Sequence, residues 1–212
     1  MNKSQKTGRL FWVFIQGTNT HFLPLAYDVS KFFIGNQRFL NTCMLGGEGM
    51  ELLNVLEKTF TAGNKLTMEE LKEKVISLGD LVKEVLAYCT EPKKLPYGRN
   101  VLLLNDDYEI IVVYLPGNRA TAIHDHGESM GCTFVVQGEF LNRSYLANEY
   151  GYPGQNNESL IKEGDILEVP YGQIHEMINP RKEAMISLHV YTPALRSIKV
   201  YTPYCEVLDY VI

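Results

Sequence analysis

The stretch Gly164–Asn179, GDILEVPYGQIHEMIN, decides the fold predicted for this chain. A glycine–aspartate turn opens it, an apolar run follows, and a corner of Pro170 and Gly172 precedes His175. A turn, a strand, a tight corner and a second strand would present His175 on an inward face. Upstream lies the pair His124-Asp125-His126. Residues i and i+2 of a strand share a face, so both imidazoles can look into one interior, although an isolated H-x-H can also be two unrelated polar strand residues.

The spacing of these residues resembles the two signatures of the cupin barrel. In the second signature, G-x5-P-x-G-x2-H-x3-N, every fixed position is filled. The first signature is matched by His124 and His126 followed by Gly138, except that its usual glutamate is replaced by Gly131. The resemblance therefore implies a metal site of three histidines, completed by His175, without a carboxylate. Two imidazoles suit zinc, copper, nickel or iron, and three would also accept zinc or nickel, so the donor set alone does not select the metal.

The chain after Pro96 contains many short apolar runs separated by turn signals, which is typical of an all-β sandwich or barrel. Before it, residues 50–90 show apolar residues at helical spacing, and Thr67–Glu70 has the spacing of a capping box. We therefore predict a mainly β fold, a cupin (jelly-roll-like) β-barrel over residues 97–212, preceded by short N-terminal α-helices. The predicted strands are 98–104, 108–115, 120–124, 131–137, 139–146, 159–162, 165–169, 174–178 and 184–192.

Residues 1–49 differ from the rest of the chain. They are rich in aromatic residues but show neither sustained alternation nor a capped helical stripe. Basic residues before the run Leu10–Ile15 vaguely resemble a signal peptide, but that run is too short to cross a membrane. A second interpretation is a translated leader, since Gly46–Gly49 would be encoded by purine-rich codons directly before Met50, as a bacterial ribosome-binding site would be. We treat residues 1–49 as an atypical extension and residues 50–212 as the functional domain.

Charge and cysteine content exclude several functional classes. The formal net charge of -5 leaves no basic surplus to neutralise phosphates, so nucleic-acid binding is not expected. The four cysteines are widely scattered and form no CxxC pair. In a chain without a clear secretion signal, this pattern indicates reduced thiols in a cytoplasmic protein. We also expect no membrane partner.

Two further groups of residues are candidates for a pocket. Ser187, His189 and Tyr191 recur at alternate positions of a predicted strand, so one face of this strand is polar and the other apolar. If the apolar face packs against the helices, a Ser–His–Tyr chain lines the pocket and orients the phenol. The alternative is an amphipathic strand with a solvent-facing polar side. Arg99, close to Tyr97, could clamp a carboxylate bidentately, although an arginine is more often a surface residue.

Three segments together resemble the cysteine dioxygenase family, the thiol dioxygenases of the cupin superfamily. They are IHDHGES at 123–129, PYGQIHEMIN at 170–179 and SLHVYTP at 187–193. The resemblance covers about residues 97–193, with helices from Met50 in the expected place. It implies Fe(II) as the metal, a Ser–His–Tyr arrangement in the pocket, and an arginine with a tyrosine that bind the substrate carboxylate. The implied site residues are His124, His126 and His175 for the metal, Tyr191, His189 and Ser187 for catalysis, and Arg99 and Tyr97 for substrate binding.

One position departs from the animal members of that family. They carry a cysteine at the Gly131 position, cross-linked to the active-site tyrosine. Here Cys132 lies one residue later, on the opposite face of an extended strand. We predict that Tyr191 is unmodified, as the resemblance to bacterial members also implies.

The resulting hypothesis is a cytoplasmic, monomeric, non-haem Fe(II) dioxygenase that oxidises L-cysteine with O2 to cysteine sulfinic acid. Arg99 would hold the carboxylate of cysteine, while its thiolate and amine chelate iron and Tyr191 hydrogen-bonds the bound oxygen or carboxylate. One alternative is a dioxygenase for 3-mercaptopropionate or cysteamine. Relatives specific for 3-mercaptopropionate generally carry glutamine at the Arg99 position, and cysteamine has no carboxylate. A non-catalytic cupin binding module is the alternative from a different class, and it would leave three pocket histidines without a purpose.

Overall fold

The computed structural model describes residues 11–13, 25–27, 49–61, 63 and 65–203. Strands β1 (Phe11–Val13) and β2 (Leu25–Tyr27) form an antiparallel pair of their own. The hypothesis that residues 1–49 are a translated leader falls almost wholly outside the described residues, and it stays a prediction.

Short helices precede the barrel, as the periodicity of residues 50–90 predicts. They are α1 (Gly49–Thr59), α2 (Met68–Ile76) and a 3-10 helix, η1 (Gly79–Tyr88). Helix α2 begins at a complete capping box: Glu70 N donates to Thr67 Oγ1 at 3.3 Å, and Thr67 N donates to Glu70 Oε2 at 2.7 Å. Among the residues that the structure describes, no helix combines the length and apolar character needed to cross a membrane.

Short strands occupy most of residues 98–201, and every pairing among them is antiparallel. They are β3 (Gly98–Leu104), β4 (Glu109–Leu115), β5 (Arg119–Ala120), β6 (Ile123–His124), β7 (Met130–Gln137), β8 (Glu139–Ala147), β9 (Pro153–Lys162), β10 (Ile166–Val169), β11 (Ile174–Asn179), β12 (Met185–Thr192) and β13 (Val200–Tyr201).

Two sheets build the barrel. One has five strands in the order β10-β7-β12-β4-β3. The other has six strands, in the order β13-β6-β11-β8-β9 with β5 paired to β11. Apolar side chains from both sheets, such as Val113 of β4 and Phe140 of β8, pack in one buried cluster. The sheets therefore face each other, and the predicted mainly β barrel with short N-terminal helices is confirmed.

Strand β4 shows how the five-stranded sheet is buried on both faces. Ile111 and Val113 belong to the cluster between the sheets, whereas Ile110 and Val112 belong to a second cluster that includes residues of α1, α2 and η1. Alternate residues of a strand face opposite sides, so one side of β4 meets the barrel interior and the other supports the helices. The candidate site residues lie on the interior side.

The clearest difference from the predicted strands is β9. Residues 151–157, rich in glycine and asparagine, predict a turn, but all of Pro153–Lys162 is one strand paired with β8. The turn lies earlier, where Asn148 Oδ1 accepts hydrogen bonds from Tyr150 N and Tyr152 N, both at 3.0 Å. Strand β9 is a sheet edge with mostly exposed side chains, so it needs no apolar alternation.

Candidate metal centre and substrate pocket

Three histidines from neighbouring parts of the six-stranded sheet converge on one point. His124 ends β6 and is directly paired with His175 of β11, while His126 follows in the loop after β6. The potential ligand atoms of the three residues all lie within 4.8 Å of one another. Metal–nitrogen bonds are about 2.0–2.1 Å long, so small side-chain rotations bring all three rings onto one ion.

Hydrogen bonds orient two of the three rings. His124 Nδ1 donates to the carbonyl oxygen of Ala122, and His175 Nδ1 donates to Oδ1 of Asn142, both at 2.8 Å. These bonds leave Nε2 of each ring to act as a ligand. Nε2 of His175 and both ring nitrogens of His126 are buried without a hydrogen-bond partner. Buried polar atoms are rarely left unpaired, and a metal ion at the common focus would satisfy Nε2 of His175 and one ring nitrogen of His126. The residues present therefore fit a divalent transition metal.

Burial keeps these imidazoles in the form that binds metals. Burial and repulsion from His124 lower the pKa of His126 to about 3. Burial and the neighbouring histidines hold the pKa of His175 well below its ordinary value, and burial also lowers the pKa of His124. A histidine ligates a metal as the neutral imidazole, so the electrostatics of the cluster agree with its geometry.

The side chain of Asp125 points away from the histidine cluster and holds the segment that carries His124 and His126. Its Oδ1 accepts hydrogen bonds from Gly127 N at 2.9 Å and from Lys199 N at 3.1 Å. Its Oδ2 accepts one from the phenol of Tyr201 at 2.7 Å. The carboxylate thereby ties the loop after β6 to the region of β13.

A hydrogen-bonded chain of side chains runs along β12. Ser187 Oγ lies 2.7 Å from His189 Nε2, and His189 Nδ1 lies 3.0 Å from the hydroxyl of Tyr191. All three residues are buried. The ring of Tyr191 meets that of His126 edge to face, with the centroids 4.7 Å apart. The polar face of β12 thus lines the interior beside the histidine cluster, and the solvent-facing alternative for this strand is wrong.

Thr133 of β7 adds a second hydroxyl to this chain. Its Oγ1 lies 2.9 Å from Nδ1 of His189, the same ring nitrogen that Tyr191 approaches. Burial, with repulsion from His126, lowers the pKa of His189 to about 3, so its ring is neutral and has one N–H. Burial also raises the pKa of Tyr191 well above its ordinary value, so the phenol keeps its proton. Thr133 and Tyr191 therefore compete for one ring nitrogen.

Arg99 and Tyr97 lie at the start of the barrel, on the side of Tyr191. Tyr97 packs against the interior cluster that contains Tyr191, and burial raises its pKa. Arg99 forms an ion pair with Glu109, a buried carboxylate of β4. Burial is the main cause of the low pKa of His189 and the raised pKa of Tyr191, and the positive charge of Arg99 adds to the first shift and partly opposes the second. The guanidinium is therefore close to the polar chain of β12.

Residue 131 faces Tyr191, and the nearby cysteine does not. Gly131 is paired with Tyr191 across β7 and β12. Cys132 lies in the cluster beneath the helices, with its sulfur 3.6 Å from the sulfur of Met68. Burial raises the pKa of this thiol to about 12, so it stays protonated. Cys132 therefore cannot reach the ring of Tyr191 without rearrangement of β7.

Three residues of this site are absent from the sequence prediction: Asn142, Thr133 and Glu109. Each acts through a partner distant in the chain, and none belongs to a recognisable motif. Only for Thr133 does the sequence contain a signal, and that signal is its position on the strand. Thr133 lies at an even offset from Gly131 on a predicted strand, which placed it on the pocket face.

Residues 80–203 match the family described as cysteine dioxygenase type I. Among solved structures, a conserved protein with a double-stranded β-helix domain from Klebsiella pneumoniae is 18% identical, with 66% of this chain and 99% of that chain covered and a TM-score of 0.43. An RmlC-like cupin from Shewanella frigidimarina is 20% identical, with 49% and 82% covered and a TM-score of 0.39.

The family match extends over more than half of the chain. It contains the three converging histidines, the polar strand β12, and Arg99 with its partner Glu109. The chain belongs to the cysteine dioxygenase type I family.

Proposed function

We propose that this protein is a non-haem iron dioxygenase that oxidises the thiol of L-cysteine with O2 to cysteine sulfinic acid. The observation that carries the proposal is a cluster of three neutral histidines, two of them buried and none joined by a carboxylate among the described residues, with His126 in contact with the ring of Tyr191. Membership of the cysteine dioxygenase type I family supports the reaction class.

The proposed reaction balances without a further reductant. Two sulfur–oxygen bonds form, the oxygen–oxygen bond breaks, and the four electrons that sulfur loses are those that O2 takes up. An Fe(II) ion held by His124, His126 and His175 would supply the redox chemistry between the thiol and dioxygen. Because the three donors are neutral, the cluster favours an anionic ligand such as a thiolate over a neutral one.

Arg99 supports a substrate that carries a carboxylate. A guanidinium presents several N–H donors in a planar fork that matches a carboxylate. Its side chain is 31% exposed, so it can be reached from solvent, and its charge acts on Tyr191. Cysteine presents a thiol and a carboxylate on one small molecule, and we propose that Arg99 orients it with the thiol toward the histidines.

Tyr191 is proposed to act as a neutral hydrogen-bond donor. Burial raises the pKa of the phenol, so the proton remains on the oxygen at neutral pH. The ring lies against His126, and its hydroxyl is held through His189 and Ser187. A donor in this position can stabilise negative charge that develops on an oxygen or carboxylate beside the cluster.

The test is oxygen consumption by protein loaded anaerobically with Fe(II), measured with L-cysteine, 3-mercaptopropionate and cysteamine in parallel. We expect uptake with L-cysteine, with one O2 consumed per sulfinate formed. The matched control is the same protein loaded with Zn(II), which takes the same donors but has no redox chemistry and should consume no oxygen. His175→Ala should bind less iron and lose the uptake.

Two results would change the conclusion. Uptake only with 3-mercaptopropionate, which also carries a carboxylate, would retain the reaction and the carboxylate contact of Arg99 but replace L-cysteine as the substrate. No uptake with any thiol, in protein shown by elemental analysis to contain one iron per chain, would contradict the dioxygenase and favour a binding module.

A further inference from the structure

Glu109 is a buried carboxylate that the proposed reaction does not yet use. It begins β4 and is only 5% exposed. The guanidinium of Arg99 contacts its Oε1, and Leu195 N donates a hydrogen bond to its Oε2 at 3.2 Å. Acidic side chains are almost never fully buried unless they are paired, so Arg99 is the group that permits this burial.

Glu109 faces the pocket and not the helices. It is directly paired with Tyr191 in the ladder between β4 and β12. Side chains of directly paired residues lie on the same side of a sheet, so the carboxylate and the phenol share the barrel interior. The charges of Glu109 and Arg99 act in opposite directions on the pKa of Tyr191. The ion pair therefore lies beside the phenol.

The two partners differ in their access to solvent. The side chain of Arg99 is 31% exposed, whereas that of Glu109 is 7% exposed. Glu109 is thus the inner partner, and the guanidinium extends outward from it. A guanidinium has five N–H donors, and the structure gives Glu109 one contact with it, through a terminal nitrogen. Within the part of the chain that the structure describes, the other donors have no acceptor, and a second carboxylate can use them.

We propose that Glu109 is a positioning and specificity residue that holds Arg99 ready for a substrate carboxylate and makes the guanidinium indispensable for any thiol acid. The inference rests on the proposed function. If Arg99 were lost, an unpaired carboxylate would stand beside the pocket. It would repel thiols that carry a carboxylate and attract a cationic thiol such as cysteamine.

Three variants separate the loss of the guanidinium from the effect of the carboxylate that its loss leaves unpaired. They are Arg99→Gln, Glu109→Gln and the double variant. In metal-free protein, Arg99→Gln leaves a buried carboxylate unpaired and should lower the urea midpoint clearly. The double variant removes both charges and should recover most of that shift, because replacing both members of a buried pair costs less than breaking it. This measurement does not depend on any catalytic activity.

The second measurement is the preference of the iron-loaded protein for one thiol over another. In Arg99→Gln, the ratio of kcat/KM for cysteamine to that for 3-mercaptopropionate should rise about 100-fold, since a unit charge a few ångströms away acts in opposite directions on the two substrates. In the double variant, most of this rise should disappear. Glu109→Gln alone should raise the KM for L-cysteine about tenfold with little change in kcat, because it loosens the guanidinium without touching the reacting groups.

Arg196→Gln is the matched control. Arg196 pairs with Asp106 at 3.4 Å, and both side chains are largely exposed, so its loss should change neither the urea midpoint nor the thiol preference. Equal urea midpoints for Arg99→Gln and the double variant would overturn the positioning role. A thiol preference in Arg99→Gln that the second substitution does not reverse would overturn the specificity role.

Calorimetric titration of iron-loaded protein with L-cysteine and cysteamine under argon compares a thiol that carries a carboxylate with one that lacks it, without turnover. A wild-type protein that binds these thiols but oxidises neither would contradict the proposed function and still allow the preference to be measured. A wild-type protein that binds neither would overturn the specificity role together with the proposed function. The urea measurements would then decide the positioning role by themselves.

Discussion

The ring of Tyr191 lies where the side chain of residue 131 would stand if that residue were not glycine. A Cβ atom at Gly131 would be 2.8 Å from Cδ1 and 2.9 Å from Cε1 of Tyr191. Carbon atoms that are not bonded keep about 3.5–4.0 Å apart, so this arrangement requires the absence of a side chain. Gly131 therefore determines where the phenol lies relative to His126, whose ring centroid is 4.7 Å away.

Gly131→Ala should displace Tyr191 and lower activity. A displacement of about 1 Å can cost about 100-fold in rate, and overpacking costs about 1–3 kcal/mol of stability. We expect kcat to fall strongly while iron content stays near that of the wild type, as measured by oxygen uptake and elemental analysis. Gly154→Ala is the control, since its added Cβ meets nothing closer than 3.7 Å. Unchanged kcat in Gly131→Ala would show that the position of the phenol does not limit the reaction.

Asn142→Ala should weaken metal binding. Oδ1 of Asn142 accepts the hydrogen bond from Nδ1 of His175 at 2.8 Å, which fixes the orientation and tautomer of that ring. Removing such a partner of a ligand typically lowers metal affinity about 10–100-fold. Competition with a chelator measures the affinity directly, without turnover. Asn157→Ala, an exposed residue of the neighbouring strand β9, is the control. Equal affinities for the two variants would contradict the role of Asn142.

Thr133→Val should test the competition for Nδ1 of His189. Valine preserves the shape of threonine but removes the hydroxyl that lies 2.9 Å from this nitrogen. With the competitor gone, the proton of Tyr191 is held toward His189 and is less available in the pocket. We expect kcat to fall several-fold, in keeping with one hydrogen bond of about 0.5–1.5 kcal/mol, and KM to stay constant.

The loss in Thr133→Val should depend on Tyr191. In a Tyr191→Phe background there is no phenolic proton to redirect, so adding Thr133→Val should cause no further loss of kcat. Two losses that simply multiply would mean that Thr133 acts through some other contact.

Strand β12 shows what sequence periodicity leaves undecided. Alternation predicted that Ser187, His189 and Tyr191 share a face, and the structure puts them on one. Periodicity alone could not say whether this face meets water or a polar interior, and all eight residues of the strand are buried. The answer depends on which sheet packs against this face of the strand. The residues of that sheet lie far away in the chain.

The histidines could be predicted from the sequence, whereas the role of Glu109 could not. His124 and His126 can be predicted from their spacing alone, because residues i and i+2 of a strand lie on the same face. Glu109 instead depends on Arg99, ten residues away on the preceding strand, and on Leu195, which is 86 residues away. In the sequence it is one acidic residue after a turn, which is ordinarily a solvated position. In the folded protein Glu109 is buried and pairs with Arg99, the residue proposed to bind the substrate carboxylate.

The buried histidines predict that metal-free protein loses stability as the pH falls below about 6.5, the ordinary pKa of histidine in an unfolded chain. Burial lowers the pKa of His126 and His189 to about 3, so the folded protein does not take up these protons until much lower pH. Between about pH 6.5 and 3 the unfolded state binds more protons than the folded state. Stability therefore rises with pH in that window and is lost as the pH falls through it.

His189→Gln isolates one of these residues. Well below pH 6.5, each such histidine contributes a slope of about 1.4 kcal/mol per pH unit to the free energy of unfolding. The variant lacks one titrating group, so its urea-derived stability should fall less steeply from pH 7 to pH 5 than that of the wild type, by up to that amount per unit. Carboxylates common to both proteins cancel in the difference. Parallel curves over this range would mean that His189 is protonated in the folded protein, which would also remove it as an acceptor or orienting partner for Tyr191.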